Sequence, residues 1–103
     1  METIDIIETN IDDMNPEIYP YVIDRLMESG ALDAYITNII MKKGRPAIKL
    51  SVLANQKDTE KLSNIIFDET TSIGVRIYSA KRKVLDREIK EVDTKYGKIR
   101  IKV

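Results

Sequence analysis

The sequence contains no cysteine and no histidine, and this excludes several kinds of site at once. Without thiols there is no disulfide and no thiolate nucleophile, and without imidazole there is no histidine base and no zinc site of the usual type. Four methionines are the only soft ligands. No segment approaches the roughly 20 apolar residues of a membrane span, and no apolar signal-peptide core follows Met1. We therefore expect a cytoplasmic protein with no membrane partner.

The residues that are present suit one folded domain. A chain of 103 residues has the length of a single ordinary domain, and an apolar fraction of 43% is enough to build a core. The 17 basic residues balance the 17 acidic residues. The net charge therefore gives no general attraction to nucleic acid.

Apolar periodicity predicts six elements followed by a hairpin. They are a strand at Thr3–Glu8, a helix from Pro16 to about Ser29, a mostly buried strand at Leu32–Met41, a strand through Ile48, Leu50 and Val52, a helix capped by Asn55–Asp58, and a strand starting near Val75 and Ile77. This order predicts an α+β domain at residues 1–80, with the ferredoxin-like βαββαβ fold and both helices on one face of an antiparallel sheet. Residues 81–103 are predicted to add a β-hairpin that turns at Thr94–Gly97. Its last strand reaches Val103 without a stop signal, so we expect it to be truncated.

The helices also carry start, stop and packing signals. Asn15 is a suitable N-cap before Pro16, and Gly30 is well placed to end the first helix. The positions predicted to face the core are Ile18, Tyr21, Val22 and Leu26 in the first helix and Leu62, Ile65 and Ile66 in the second.

The segment Glu8–Glu17 joins the first strand to the first helix and is unusually acidic. It holds the carboxylates Glu8, Asp12, Asp13 and Glu17 within ten residues. One interpretation is a solvated loop with a helix cap. The other is a site of oxygen ligands for a hard divalent cation, one that carries phosphates.

The predicted topology brings three connecting segments to one end of the sheet. Strands 1 and 2 of this fold run parallel, so the segments after them, Glu8–Glu17 and Lys42–Arg45, leave the same end. The second helix runs back toward that end, and its exit at Glu69–Arg76 opens there as well. This end therefore collects carboxylates, three cations from a tight turn, hydroxyl groups and a further arginine. A metal–triphosphate requires the same groups.

Less specific interpretations of these residues stay open. Carboxylates beside Lys and Arg commonly pair across a surface and stabilise little. The Lys42–Arg45 turn is also typical of a solvated hairpin tip and lacks the first glycine and the Ser/Thr of a Walker A loop. Thr70–Ser72 is typical of a helix end with local hydrogen bonds. RNA-recognition modules of this fold stack bases on sheet aromatics, whereas these strands offer Lys49, Ser51 and Tyr78, so we expect no nucleic-acid partner.

Four motifs fall in the order and spacing of one known family. They are Glu8-Thr-Asn-Ile-Asp-Asp-Met14, Gly30-Ala-Leu-Asp33, Met41-Lys-Lys-Gly-Arg-Pro46 and Thr70-Thr-Ser-Ile-Gly-Val-Arg76. From about Ile4 to its end the chain resembles the C-terminal domain of the LarC nickel insertases. Members of that family carry a further N-terminal domain and additional residues beyond the last strand. The resemblance therefore implies one domain of a larger enzyme.

The resemblance implies a nickel chelatase of the lyase class. Such enzymes place Ni(II) into pyridinium-3,5-bisthiocarboxylic acid mononucleotide to form the nickel-pincer cofactor, and insertion depends on CTP. The C-terminal domain is expected to bind CTP with Mg or Mn and to form a homo-oligomer. The implied partners are the nucleotide, the small dinucleotide-derived substrate and the N-terminal domain of the same enzyme. A site without Cys or His suits Mg or Mn better than nickel, whose sulfur ligands would come from the substrate.

Residue roles follow as hypotheses, and no catalytic residue is assigned. Asp12 and Asp13 hold the cation, with Glu8 or Glu17 assisting through water. The groups that bind the triphosphate are Lys42, Lys43, Arg45 and Arg76. Thr70 and Thr71 donate to phosphate or sugar, and Gly44 and Gly74 allow close approach of the backbone. The alternative function is a non-catalytic ligand-sensing or oligomerisation module that uses its sheet edge and terminal hairpin for assembly.

Overall fold

The structure is a computed structural model that describes residues 1–85 fully and the backbone of two later strands. The elements are β1 (Glu2–Ile11), a 3-10 turn (Pro16–Ile18) leading into α1 (Tyr19–Glu28), β2 (Asp33–Ile40), β3 (Pro46–Asn55), α2 (Thr59–Glu69), β4 (Arg76–Arg82), β5 (Ile89–Thr94) and β6 (Gly97–Lys102). The predicted βαββαβ order is confirmed. No helix among the described residues is long and apolar enough to cross a membrane.

The first four strands form one antiparallel sheet in the order β2-β3-β1-β4. β1 and β2 run parallel to each other because both pair antiparallel with β3 between them. The predicted ferredoxin-like class is thereby confirmed. β5 and β6 pair antiparallel as a separate two-stranded sheet, which is the predicted hairpin. Residues 95–96 at its predicted turn, and Val103, lie outside the described residues, and the domain boundary at residue 80 stays a prediction.

β1 continues three residues beyond its predicted end at Glu8. Thr9 and Ile11 are buried and pair with Leu50 and Ile48 of β3. Polar Glu8 and Asn10 alternate with them on the other face of the sheet, so the strand period of two is kept. The acidic segment therefore begins inside the central sheet, and only residues 12–15 form a connection.

β2 is not mostly buried, contrary to the sequence prediction. It lies at one side of the sheet, where among the described strands it pairs with β3 alone. As a result Tyr35 remains 46% exposed and Ile40 80% exposed, although the strand is rich in apolar residues. An edge strand has a neighbour on one side only, and half of its side chains point to the uncovered face of the sheet.

The core lies between the sheet and the two helices. Its members include Ile7, Leu50 and Val52 from the sheet, Val22 and Leu26 from α1, and Leu62, Ile65 and Ile66 from α2. The inward face predicted for α2 is confirmed. The face predicted for α1 is half wrong, because Ile18 is 41% and Tyr21 55% exposed. The chain enters α1 through a tighter 3-10 turn, which rotates the first positions and turns Tyr19 inward instead.

The ends of α1 follow their sequence signals, whereas the start of α2 does not. The Asn15 side chain accepts a hydrogen bond from the backbone N–H of Glu17 at 3.1 Å. Gly30 has a φ of 106° and ends α1 in a Schellman motif, with Ala31 N–H bonded to the Leu26 carbonyl. At α2 neither Asn55 nor Asp58 caps the helix through its side chain.

A buried carboxylate fixes the start of α2 to β1. One oxygen of Asp5 accepts from the Thr59 hydroxyl at 2.7 Å, and the other accepts from Ser79 at 2.9 Å and Gln56 at 3.2 Å. The bond from Thr59, supported by those from Gln56 and Ser79, lowers the pKa of Asp5 against the opposing effect of burial. The Asp5 carboxylate of β1 therefore connects this strand by hydrogen bonds to the start of α2 and to β4.

Candidate functional site

The ends of β1 and β2 lie together, as the predicted topology requires. Ile11 of β1 and Asn38 of β2 both pair with Ile48 of β3, so the two parallel strands finish at the same level. We call this region, formed by residues 12–15, 41–45 and 70–75, the loop end of the sheet. A pocket of about 300 Å³ at this end is lined by Asp12 and by residues 41–43 and 45, and we call it the basic pocket. The predicted proximity of the first two connections is thereby confirmed.

The third connection is joined to β1 by hydroxyl groups. The Thr9 hydroxyl lies 2.8 Å from that of Ser72 and 3.0 Å from the Gly74 carbonyl oxygen. The Thr71 hydroxyl donates to Asp13 Oδ1 at 2.5 Å. The exit of α2 therefore reaches the loop end, as predicted. Thr9 was missed as a site residue because the sequence pattern placed it in a loop, whereas in the strand it faces this connection.

The turn between β2 and β3 presents its cations to solvent. Lys42, Lys43 and Arg45 are exposed, and none of them is ion-paired with another residue in the described part of the chain. The Met41 N–H donates to the Arg45 carbonyl at 2.7 Å and closes the turn. Gly44 takes the positive φ predicted for it, 72°, and Lys43 takes one of 61°. Three positive side chains thus share one short turn.

Asp12 and Asp13 lie in the connection between β1 and the 3-10 turn that leads into α1. Asp12 and Asp13 are exposed, and Asp12 lines the basic pocket. Burial, and then the negative charges of Asp13 and Asp12, raise the pKa of Tyr19. Both aspartates therefore lie near the buried Tyr19 ring at the start of α1. Glu17 is exposed on the adjoining 3-10 turn.

Two predicted site residues lie on the uncovered face of the sheet instead. Arg76 Nε donates to Glu8 Oε1 at 3.3 Å, and Arg76 Nη2 donates to Asn10 at 3.0 Å. Glu8 also accepts from the Tyr78 hydroxyl at 3.2 Å and has Lys49 Nζ at 3.9 Å. Burial and the bond to Glu8 raise the pKa of Tyr78. The structure therefore pairs Glu8 with Arg76 and does not bring them into the basic pocket.

Thr70 after α2 and the glycines Gly44 and Gly74 differ in their surroundings. Thr70 donates to the Ile66 carbonyl at 2.7 Å and accepts from the Ser72 N–H at 3.1 Å, which is the local helix-end pattern. A Cβ added at Gly44 or Gly74 would meet no atom within 4 Å. The backbone at both glycines is therefore open to approach, although only Gly44 needs a glycine-like conformation.

A second pocket adjoins the basic one and was not predicted from sequence. We call it the apolar pocket. It measures about 370 Å³ and is lined mainly by Ile11, Met14, Tyr19, Ile36, Asn38 and Ile48. Asp12 lines both pockets. Its lining comes from several separate segments whose residues resemble core positions, so no single sequence signal marked it.

The donor set at the loop end suits a cation that arrives with phosphates. Within the described residues no group of three or more acidic, histidine or cysteine side chains is arranged to hold a metal ion. Mg²⁺ is commonly held by only one or two protein carboxylates, with phosphates and water completing its shell. Asp12 and Asp13 offer two such carboxylates, and the cations of the Lys42–Arg45 turn would offset the charge of a phosphate.

Comparison with known proteins decides the family. The sequence model of the nickel insertion protein family matches residues 1–103, the whole chain. The chain belongs to the nickel insertion protein family.

Curated members of the nickel insertion protein family are close in sequence and considerably longer. The pyridinium-3,5-bisthiocarboxylic acid mononucleotide nickel insertion protein of Clostridium acetobutylicum is 57% identical over 97 residues, which are 94% of this chain and 23% of the relative. The protein of the same name from Acetivibrio thermocellus is 54% identical over 101 residues, which are 98% of this chain and 25% of the relative. The chain thus spans about a quarter of the length of these relatives.

A solved structure shares the fold of this chain. It is described as LarC2, the C-terminal domain of a cyclometallase involved in the synthesis of the NPN cofactor of lactate racemase, in its apo form. The match has a TM-score of 0.89 at 42% identity and covers 98% of this chain and 70% of that chain. This agrees with the predicted resemblance to a LarC C-terminal domain.

Proposed function

We propose that this domain binds CTP together with Mg²⁺ or Mn²⁺ at the loop end. In this proposal the domain serves a nickel insertase of the lyase class that places Ni(II) into pyridinium-3,5-bisthiocarboxylic acid mononucleotide. The observation that carries it is the basic pocket, in which Asp12 shares about 300 Å³ with three cations of one turn. Support for the reaction comes from relatives that bear this substrate in their names.

Five side chains have the leading roles in the proposal. Asp12 and Asp13 bind the divalent cation directly. Lys42, Lys43 and Arg45 bind the phosphates, and their exposure, with no ion pair to any residue that the structure describes, favours this role. An ion pair that first had to be broken would oppose binding.

The remaining predicted residues have supporting roles. Thr71 already contacts Asp13, so it orients that carboxylate or donates to a bound phosphate. Gly44 leaves space for a phosphate near the backbone, as Gly74 does across the site. Arg76 holds Glu8 and Asn10 beneath the loop end, while Thr70 and Glu17 border it.

Nickel enters this proposal as the substrate metal. The chain has neither cysteine nor histidine, and carboxylates bind hard cations in preference to nickel. The thiocarboxylates of the organic substrate would therefore supply the sulfur ligands. The loop end would act on the nucleotide, and the rest of the insertase would hold the metal-accepting substrate.

We also propose that the domain forms a homo-oligomer beside the N-terminal domain of its enzyme. The uncovered sheet face supports this, because Tyr35 and Tyr78 are 46% and 47% exposed there. Aromatic residues of this kind are enriched in protein interfaces. Sedimentation of the wild type and of a Tyr35→Asp variant tests it, and a monomer in both cases would contradict it.

Thermal unfolding with CTP, ATP and GTP, each with and without Mn²⁺, tests the proposed function. A ligand that binds only the folded state raises its stability, by about 2.7 kcal/mol at a hundredfold excess over Kd. We expect a Mn²⁺-dependent rise that is largest for CTP. The absence of a rise with every nucleotide would contradict the proposal.

A charge reversal separates nucleotide binding from a purely assembling or sensing module. Lys42→Glu places a negative charge in the basic pocket, and Lys57→Glu makes the same change at an exposed residue before α2. We expect Lys42→Glu to remove the rise in stability with CTP while the fold survives. Lys57→Glu should bind as the wild type does. Equal binding by both variants would favour the assembly module.

A further inference from the structure

The segment from the last turn of α2 to the start of β4 exposes three large apolar side chains. Ile73 is 100% exposed, Ile77 51% and Phe67 40%, and we call these three residues the exit patch. We propose that the rest of the nickel insertase docks on the exit patch. This inference rests on the proposed function and adds where the nucleotide-binding domain meets the part that holds the metal-accepting substrate.

The backbone on both sides of Ile73 is fixed, although the side chain lies in solvent. The Gly74 carbonyl oxygen lies 3.0 Å from the hydroxyl of Thr9 and 2.9 Å from that of Ser72, and the two hydroxyls lie 2.8 Å apart. Thr9 itself is buried in β1. Because the turn is already ordered, an apolar side chain on it can enter a cavity of a partner at a low entropic cost. Ile73 therefore has the geometry of a preorganised anchor.

Ile77 and Phe67 add apolar surface next to this anchor. Ile77 pairs with the fully buried Ile7 of β1 and lies on the helix side of the sheet, opposite to its neighbours Arg76 and Tyr78. Among the described strands β4 is an edge strand, so Ile77 is only partly covered. Phe67 belongs to the last turn of α2. Apolar side chains grouped in this way are typical of an interaction surface.

The rest of the insertase fits the exit patch better than a second copy of this chain does. The homo-oligomer proposed above uses the uncovered sheet face with Tyr35 and Tyr78, whereas Ile77 lies on the opposite side. The chain spans 23% and 25% of two curated relatives, so these proteins are about four times as long as the matched segment. Insertion also requires the organic substrate to come close to the nucleotide, and Ile73 lies within the loop end.

Photo-crosslinking of the complete insertase that contains this domain tests the proposal. Ile73 is replaced by the photoreactive amino acid p-benzoylphenylalanine, and mass spectrometry locates the crosslinked peptides. We expect them to come from the enzyme outside this domain. The matched control carries the same replacement at Ile40, which is 80% exposed at the end of β2 and lies outside the exit patch. Its crosslinks to the rest of the enzyme should be several-fold weaker.

The rate of nickel insertion at saturating CTP provides a second measurement. Ile73→Asp should lower it at least about tenfold, as loss of a central interface contact commonly does. Ile73→Leu keeps an apolar side chain of the same size and should retain most of the wild-type rate. Ile40→Asp should retain it as well. Nickel bound to the purified organic product measures the rate.

The outcomes separate this inference from the proposed function. Crosslinks from position 73 to this domain of a second copy, or no crosslinks, would overturn the docking surface. Equal crosslinking from positions 40 and 73, or equal loss of insertion by Ile73→Asp and Ile40→Asp, would overturn the assignment to the exit patch. A wild-type enzyme that inserts no nickel with CTP would contradict the proposed function, whereas crosslinks from position 73 to the rest of the enzyme would still support the docking surface.

Discussion

A hydrogen bond between an aspartate and a threonine lies near each end of α2, and the two pairs differ in their surroundings. At the start of α2 the Thr59 hydroxyl donates to Asp5, and both residues are 9% exposed. Beyond its end the Thr71 hydroxyl donates to Asp13, and both residues are exposed. Asp5 accepts from two further side chains, Gln56 and Ser79.

The difference separates a group that stabilises the fold from one that can be exchanged for a ligand. Removing a buried acceptor leaves its donors without partners, which is costly. An exposed hydrogen bond is readily replaced by water or by another ligand. Asp13 can therefore turn from Thr71 toward a cation at little cost, whereas Asp5 cannot leave its network. The same pair of residue types thus serves stability at one end and, under the proposed function, binding at the other.

The largest expected effect is on stability at Asp5. Asp5→Ala should lower the free energy of unfolding by about 2–3 kcal/mol, because the buried Thr59 hydroxyl loses its charged acceptor. Asp13→Ala should change it by less than about 0.5 kcal/mol, as is usual for exposed positions. Urea unfolding monitored by circular dichroism measures both. Equal losses in the two variants would remove the distinction between the pairs.

For nucleotide affinity we expect the reverse order, with the larger effect at Asp13 and the smaller effect at Asp5. Under the proposed function Asp13 is a direct ligand of the cation, so Asp13→Asn should reduce Mn²⁺-dependent CTP binding at least about tenfold. Asp5→Asn should bind CTP with wild-type affinity once it is folded, because its side chain lies at the far end of α2. Calorimetry at a temperature well below both unfolding transitions makes the comparison. Loss of binding in Asp5→Asn alone would show that the roles are reversed.

The two threonines allow the same comparison, with smaller expected effects on the free energy of unfolding. Thr59→Ala should cost about 1–2 kcal/mol, since it removes a buried bond to a carboxylate. Thr71→Ala should cost less than about 0.5 kcal/mol. Thr59→Ser restores the hydroxyl and should recover most of the loss. A larger loss for Thr71→Ala, measured by urea unfolding, would indicate that the exposed pair also supports the fold.

The smallest effect is the acid dependence of stability. The pKa of Asp5 is lowered in the folded state, so its contribution is complete above its unfolded pKa of about 3.9 and is lost as pH falls through the folded value. The Asp5→Asn variant has no carboxyl group at this position, so its stability does not depend on this titration. The stability gap between wild type and variant should therefore narrow as pH drops below about 4. A gap that stays constant down to pH 2 would contradict this.

The sequence predicted the order of elements because the apolar periods are regular in each of them. The predicted end of β1 was too early, because the polar residues Glu8 and Asn10 are typical of a loop. In the structure both residues belong to the strand and face the uncovered side of the sheet. The sequence pattern placed Ile18 inward because a tighter first turn cannot be distinguished from an α-helical one by spacing alone. These errors concern local geometry that tertiary packing decides.

The loop end was predictable in outline and not in detail. Parallel first and second strands require that their connections share one end, so the meeting of Asp12 with the Lys42–Arg45 turn followed from topology. The pairing of Glu8 with Arg76 depends on the register of β1 against β4, and sequence spacing does not determine that register. The Asp5 network joins residues 51, 54 and 74 positions apart, and no local pattern marks such a set.

The positive φ of Lys43 has a consequence for evolution and for engineering of this turn. A side chain in the left-handed region costs roughly 1 kcal/mol relative to glycine, and the next residue, Gly44, already has that conformation. Lys43→Gly should therefore relax the backbone and remove a cation from the basic pocket in one step. A single change is thus expected to relieve the strain of this turn and, under the proposed function, to lower the affinity for phosphate. Selection for stability alone would be expected to remove this lysine, and selection for binding to retain it.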